Sequence, residues 1–424
     1  MNIDLLSSSP TLVLGHYDSG KTFDKKAYLS KYHSQMAVAS SYKDEQFKDE
    51  QYDKWRPFIS VEGNYVETLQ SFLHQSGFMP NHQPDGIFGY ETLAGVRLFQ
   101  EYMRTFKGKA NMMPDGLAGK NTFGAMLEWQ QQNLGICEWA AGTPTPEYTK
   151  WLKLLSDRKA HFLHNPSAIF SCRENYTHNT DTRKIAEWEV SSDAVHLIGI
   201  RRNQGNGYAA NLRDDDFFVF LINGMAFKFF GSTAPNPKLA NSNMPFLLEG
   251  QHHYHYSWHH LSDAHQVYKA WKPFSSGVLV IRETAAQESK DIINNATQMQ
   301  FLFDHQPNLS INIHWSGKGS YNFSAGCQVI GGSSYVNNQG QLIDDGYLAA
   351  KNKGELHKVT DKHYSGQKTK GAYNMLIDLF LNYTPDGMNS LAYSLVREET
   401  IGQLESWPEG AIASLESQMK SKIR

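Results

Sequence analysis

Apolar residues recur at helical spacing in the first third of the chain and at alternate positions further on. In VETLQSFLHQSGF, Val66, Leu69, Phe72 and Leu73 fall on one helical face, and in TLAGVRLFQEYM, Leu93, Val96 and Phe99 mark a second. Phe123, Met126 and Leu127 begin a third. Between these predicted helices stand PDGIFGYET (84–92) and PDGLAGKNT (114–122), near-copies thirty residues apart. Each puts Asp-Gly in a tight turn, where glycine takes positive φ, and a second glycine three residues later. Each then offers a threonine placed to cap the next helix. The pattern predicts a small helical bundle tied by two similar turns.

Residues 131–190 predict a helical connector, with EYTKWLKLLSDRKAHFL its amphipathic part and NPSAIFSCRENYTHNTDTRK a loop. The periodicity then changes from helical to alternating. AVHLIGIR (194–201), DDFFVFLINGMAFKFFGST (215–233), SGVLVIRET (276–284) and LSINIHW (309–315) predict strands, with Asn223-Gly224 a hairpin turn between two apolar runs. GAYNMLIDLFLNY (371–383) predicts an apolar helix, and the polar remainder to Arg424 a helix-prone tail. The expected organisation is an arm (1–60), a helical domain (61–130), a connector (131–190), a β-rich domain (191–385) and a helical tail (386–424). The fold class is multidomain α+β.

Composition narrows the partners. With 424 residues, 40% hydrophobic and 20% charged, the chain reads as globular and longer than one ordinary core. A formal net charge of −3 gives no electrostatic case for nucleic acid or an anionic membrane. Cys137, Cys172 and Cys327 cannot all pair with one another, and no CxxC or Cys/His finger spacing appears. No apolar run approaches the roughly 20 residues of a membrane span. The first residues lack the positive segment of a secretory leader, so no cleavable signal is expected.

The chemistry concentrates in INIHWSGKGSYNFSAGCQVIGG (311–332). Asn312 and His314 alternate with Ile311 and Ile313, which places the imidazole on the opposite face from the isoleucines near a strand end. A Gly/Ser-rich loop then returns the chain through Ser324-Ala325-Gly326-Cys327 into Val329-Ile330, a second apolar edge. Two adjacent strands so joined bring an imidazole beside a thiol, the arrangement that activates a cysteine nucleophile. Gly326 is placed to let backbone N–H groups face a developing oxyanion. A buried structural thiol is the plainer role for Cys327. GQHHYHYSWHH holds His252, His253, His255, His259 and His260, with His265 beyond. These suit either a zinc set or the lining of a groove with Tyr254, Tyr256 and Trp258. RDDD (213–216) predicts a solvated turn and YSGQKTKG (364–371) a surface loop.

Two stretches resemble known families. Leu69-Gln70, Asp85-Gly86-Ile87-Phe88-Gly89, Thr92 and Phe99-Gln100 stand where the peptidoglycan-binding domain 1 family has its LQ, DGxFGxxT and FQ. The resemblance implies peptidoglycan binding, with Asp85, Gly86, Phe88, Gly89 and Thr92 as its motif residues. His314, Ser324, Gly326 and Cys327 resemble the L,D-transpeptidase catalytic (YkuD-like) family, in a divergent SAGC branch that also shares VHLIGIR, GST (231–233) and LLEGQHHYHYSWHH. Two positions depart from its pattern: Ala325 replaces the family's second histidine, and Gln328 follows the cysteine where an Arg or Asn is expected soon after.

The second resemblance implies a β-rich fold without cofactor or metal. Cys327 would attack the carbonyl between the L-centre of meso-diaminopimelate and the next D-Ala. His314 would carry the proton, oriented by a backbone carbonyl near Trp315 or Ser316. Tyr254, His259, His260, Trp315 and Gln328 would line the substrate. Water would resolve the thioester (carboxypeptidase or endopeptidase) or another stem's amine would (transpeptidase). The alternatives are a zinc-dependent peptidoglycan peptidase or amidase using the histidines of 252–265, and a non-catalytic wall-binding protein. Either enzyme would be made in the cytoplasm and act in the periplasm or cell wall. It would arrive through a secretion system or phage lysis, with a secretion apparatus or an immunity protein as further partners.

Overall fold

The computed structural model describes residues 3–22, 59–202, 216–239, 244–261, 266–282, 306–317, 321–344, 346–348 and 369–398, together with Asp304 and Ser417. The charged stretch 43–54, Arg213–Asp215, His265 and most of the tail beyond 398 lie outside them. The chain divides into two compact units, 1–142 with 345–388, and 143–344 with 389–424.

The first unit is helical. Helices α1 (Tyr65–Gln75), α2 (Tyr90–Thr105) and α3 (Lys120–Gln131) turn their apolar stripes onto one aromatic core. There Phe78 meets Phe99, Tyr102, Trp129 and Trp139 edge-to-face at 5.3–6.2 Å between centroids. Such pairs add directional preference to simple burial of area. The first residues of the chain join this core. Leu6 and Leu12 are fully buried, and β1 (His16–Asp18) runs parallel to β2 (Ile59–Val61). Asp18 then caps α1 from outside its own segment, accepting the N–H groups of Val66 and Glu67 at 2.9 Å each. The apolar helix Ala372–Tyr383 also belongs here, packed on α2 through a bidentate pair between Arg97 and Asp378 (2.7 and 2.5 Å). This corrects the predicted 191–385 boundary. The helix is buried nearly all round and needs other helices to cover it.

The second unit is a barrel. Its strands are β3 (His196–Arg201), β4 (Asp216–Ile222), β5 (Met225–Ser232), β6 (Pro245–Leu247), β7 (Gly250–Leu261), β8 (Gln266–Pro273), β9 (Val280–Arg282), β10 (Ile313–Trp315), β11 (Gln328–Val336), β12 (Leu342–Asp344) and β13 (Ser390–Arg397). Nine strands run β10-β8-β7-β13-β3-β4-β5-β11-β12, and a further β10–β11 pairing closes the first eight into a ring. β4 and β5 form the expected hairpin, with Asn223 (φ +48°) and Gly224 (φ +74°) as its two turn residues. Strand alternation sends Leu197, Phe218, Phe220, Phe227, Phe229, Tyr335 and Tyr393 inward. Tyr393 donates its hydroxyl across the interior to Gln328 Oε1 (2.9 Å), which fixes which face is inside. Of the residues predicted as a connector, 143–190 are part of this unit and 131–142 belong to the first. Helix α4 (Pro146–His164) lays Tyr148, Trp151, Leu154 and Leu155 over the outer face of Ile198, Ile200, Phe217, Val219 and Val396. The short α5 (Ala168–Asn175) packs Ile169 and Phe170 beside Trp188 and Phe246.

β13 corrects the tail prediction, since residues 390–397 form a strand between β7 and β3. Asp216 corrects the solvated-turn prediction. Its carboxylate is buried and accepts Arg202 N (2.8 Å), Thr233 N (2.7 Å) and the Thr233 hydroxyl (2.7 Å). Among the described residues no helix is long and apolar enough to cross a membrane.

Candidate functional sites

The thirty-residue repeat has a physical cause in two glutamines. Gln70, near the middle of α1, turns inward and serves the first Asp-Gly turn. Its Oε1 accepts Asp85 N (2.9 Å) and Gly86 N (2.8 Å), and its Nε2 donates to Asp85 Oδ1 (2.8 Å), Ile87 O (2.9 Å) and Thr92 Oγ1 (2.9 Å). Gln100 in α2 repeats this on the second turn. It accepts Gly116 N (2.9 Å) and donates to Asp115 Oδ1 (3.2 Å), Leu117 O (3.0 Å) and Thr122 Oγ1 (3.0 Å). Gly86 and Gly116 hold φ of +75° and +80°, which a side chain resists.

Each helix thus clamps the turn that leads into the next. The threonines are not the predicted caps. Gly89 and Gly119 occupy the N-cap positions, and Thr92 and Thr122 sit inside the first turn, receiving the clamp. Phe88 and Thr92 are buried, Gly86 and Gly89 are enclosed, and only Asp85 of the five motif residues is exposed, with its Oδ1 engaged by Ile87 N (2.9 Å) and Gln70. Four of the five motif residues therefore build the fold, and Asp85 alone reaches the surface.

In the second unit β10 and β11 run parallel, Ile313 beside Gln328, His314 beside Val329, Trp315 beside Ile330. Gln328 points into the barrel, so Ile313, Trp315 and Ile330 do too, and Asn312, His314 and Cys327 share the outer face. The twelve-residue connection 316–327 is the shortest class that joins parallel neighbours.

The turn before Cys327 is held from several sides. Ser324 Oγ accepts Gly326 N (2.9 Å) and donates to Cys327 O (2.8 Å). Asn236 N donates to Ser324 O (2.7 Å), and Gln328 Nε2 reaches Thr233 O (3.4 Å), the same carbonyl that takes Arg201 Nη2 (2.7 Å). The VHLIGIR and GST segments are thus struts inside the barrel beneath the cysteine. Gly326 (φ +156°) has no room for a side chain, since a Cβ would lie 2.6 Å from Pro245 Cγ.

Cys327 is partly exposed. Its thiol donates to Ser310 O (3.3 Å), and Asn312 N donates to its sulfur (3.4 Å). Apolar surroundings push the thiol up to about 11, against the opposing pull of the Asn312 and Cys327 N–H groups. His314 Nδ1 lies 2.9 Å from Trp315 O and 3.3 Å from the Tyr268 hydroxyl. A carbonyl only accepts, so Nδ1 carries the proton and Nε2 is the basic nitrogen. The His259 ring stacks on that of His314, centroids 4.5 Å apart and planes 12° from parallel. Asn312 Nδ2 lies 3.3 Å from His259 Nδ1.

Several predicted site residues stand elsewhere. Gln328 and Tyr254 are buried inside the barrel, the latter donating to Ile311 O (2.9 Å), so neither lines a substrate groove. The buried Trp315 contributes its carbonyl. The side chain of His260 lies outside the described residues. The N–H of Gly326 itself is taken by Ser324 Oγ. Asn312 and Tyr268 are the members that sequence reasoning passed over. Asn312 was within reach, because it alternates with the isoleucines as His314 does. Nothing local marks Tyr268.

The histidine run is split by strand alternation. His252 faces inward with Nδ1 on Thr182 Oγ1 (3.0 Å) and Nε2 on Leu248 O (2.9 Å), while His253 stacks on Phe274. Among the described residues no three His, Cys, Asp or Glu side chains gather as a metal set.

Residues 62–126 match a family model described as "Putative peptidoglycan binding domain". The chain carries a peptidoglycan-binding module. The matched span begins just before α1 and ends within α3, so it takes in both clamped turns. No match of L,D-transpeptidase type accompanies it. No curated protein and no solved structure matches the chain.

Proposed function

We propose that the chain is a peptidoglycan-targeted cysteine enzyme acting on the L,D-peptide bond after diaminopimelate in stem peptides. The observation that carries this is the parallel pairing of β10, which holds His314, with β11, which Cys327 immediately precedes, together with the His314 Nδ1 proton committed to Trp315 O. Nε2 is then the general base. It takes the thiol proton as sulfur attacks the carbonyl, the tetrahedral intermediate collapses with that proton passed to the departing D-Ala amine, and water hydrolyses the thioester. A thiol held up at about 11 requires this concerted transfer, because almost no thiolate exists beforehand at neutral pH. The peptidoglycan-binding module would raise the local concentration of stems, so weak binding suffices. Made in the cytoplasm, the enzyme would act in the cell wall as a lytic or antibacterial effector.

The test is incubation of purified sacculi with wild type and Cys327→Ala, followed by muropeptide mass analysis. Wild type is expected to shorten tetrapeptide stems by one D-Ala, or to open L,D-crosslinks, and the variant to do neither. Identical muropeptides from both would overturn the enzyme. The outcome would then favour the second reading, a wall-binding protein without catalysis. That reading has its own support, since Cys327 gives its hydrogen to Ser310 O and the Gly326 N–H is occupied.

A further inference from the structure

Asn312 contacts both Cys327 and His259 in the outward-facing cluster. Its main-chain N–H points at the Cys327 sulfur (3.4 Å), its carbonyl accepts Gln328 N (2.8 Å), and its carboxamide meets His259 Nδ1 (3.3 Å). His259 in turn lies flat on His314. The carboxamide is almost wholly buried, and its Oδ1 has no hydrogen-bond partner among the described residues. A buried carboxamide with an orphan oxygen is a cost the fold does not need, since an apolar side chain would fill the same place on the strand. Such a cost points to a role outside stability.

We infer that Asn312 is a positioning residue that holds His259 neutral, with its Nδ1 unprotonated, as the stacking partner of His314. The inference rests on the cysteine-enzyme function proposed above and deepens it. The chemistry follows from donor and acceptor roles. Nδ2 of a carboxamide only donates, so it pairs with His259 Nδ1 only while that nitrogen holds a lone pair. Protonating His259 sets two donors against each other. Among the described residues, His259 meets Tyr268 from β8, at 5.3 Å between rings, His314 from β10 and Asn312 just before that strand, with the Cys327 thiol, just before β11, next beyond Asn312. None of these four is an anion at neutral pH, so none of them draws a proton onto His259. A neutral ring stacked on His314 accepts the positive charge that His314 gains as Cys327 attacks. A protonated ring would repel that charge and weaken His314 as a base.

Histidine-labelled full-length protein tests this by nitrogen chemical shifts, without substrate. The expected result is His259 with Nδ1 unprotonated at pH 7, and a His259 pKa raised by about one unit or more in Asn312→Asp, whose carboxylate accepts the Nδ1 proton. The acid limb of the rate on sacculi is expected to move to higher pH in that variant. A protonated Nδ1 on neutral His259 in wild type would overturn the inference, and that measurement needs no variant to fold. Unchanged His259 titration in Asn312→Asp would overturn it as well. Absence of wild-type activity on sacculi would instead overturn the enzyme, while the ring shifts still decide the role of Asn312.

Discussion

Cys327 gives its thiol hydrogen to the carbonyl oxygen of Ser310, 3.3 Å away, and so rests as a thiol. Its raised pKa of about 11 means that thiolate makes up about one part in ten thousand at pH 7. The alkylation rate of Cys327 by iodoacetamide should therefore climb about tenfold per pH unit from pH 7 to 10, without a plateau. Peptide mass analysis separates Cys327 from the buried Cys137 and Cys172. A plateau near pH 6 to 7 would reveal a thiolate–imidazolium pair and sink the concerted mechanism.

The glutamine clamps should dominate the stability of the peptidoglycan-binding module. Gln70→Ala leaves the N–H groups of Asp85 and Gly86 without their acceptor in a part-buried turn. A loss of roughly 2–4 kcal/mol is expected, with Gln100→Ala similar or smaller because its contacts to Asp115 and Thr122 are longer. Denaturant unfolding of the first unit's signal measures this. Equal stability to wild type would show that the turns hold themselves.

Gly326→Ala should cost function beyond its effect on folding. The new methyl meets Pro245 Cγ at 2.6 Å and Pro245 O at 3.1 Å, so the turn carrying Cys327 must move. Unfolding is expected to lose about 1–3 kcal/mol, and activity on sacculi to fall at least tenfold. Retention of full activity would mean that the placement of Cys327 is not critical.

Much of this was legible in the chain. The helical spacing and the paired Asp-Gly turns gave the bundle, and Asn223-Gly224 with its flanking apolar runs gave the hairpin, because both are local patterns. The service rendered by Gln70 and Gln100 was not, since a polar residue on a helix normally faces water and only the fold shows it turned inward. β13 escapes a sequence reading although Leu391, Tyr393 and Leu395 alternate with Ala392, Ser394 and Val396. Its neighbours are polar and helix-prone, and eight residues cannot outvote them in a window reading. The barrel closure, the parallel pairing of β10 with β11 and the split of the histidine run depend on contacts between distant segments, which periodicity does not encode. That the segments carrying His314 and Cys327 lie side by side was legible in residue types and loop length, and the hydrogen bonds around each side chain were not.

The barrel should lose stability as pH falls below about 6.5. His252 is fully buried, and burial drives it down to about 3, helped by the charges of Arg173 and Arg201 and resisted by Leu248 O. His253 is pushed to about 4 by burial first, then by Arg183 and His255, while burial also lowers His196 and His255. These rings are neutral in the fold and titrate near 6.5 once unfolded. A depressed folded pKa gives stability that is complete above the unfolded pKa and lost as pH falls toward the folded one, because the unfolded state then binds more protons. His252 and His253, with folded values well below the window, each contribute a slope approaching roughly 1.4 kcal/mol per pH unit there, and His196 and His255 act in the same direction. Asp181, whose carboxyl burial raises, opposes the loss only toward the acid end, which makes pH 6.5 to 5 the cleaner range. Urea unfolding of the barrel signal should show a midpoint that drops steadily across this range, and His252→Asn should flatten the slope by about one proton. A midpoint constant from pH 7.5 to 5 would mean that the buried rings find protons, or water, within the folded barrel.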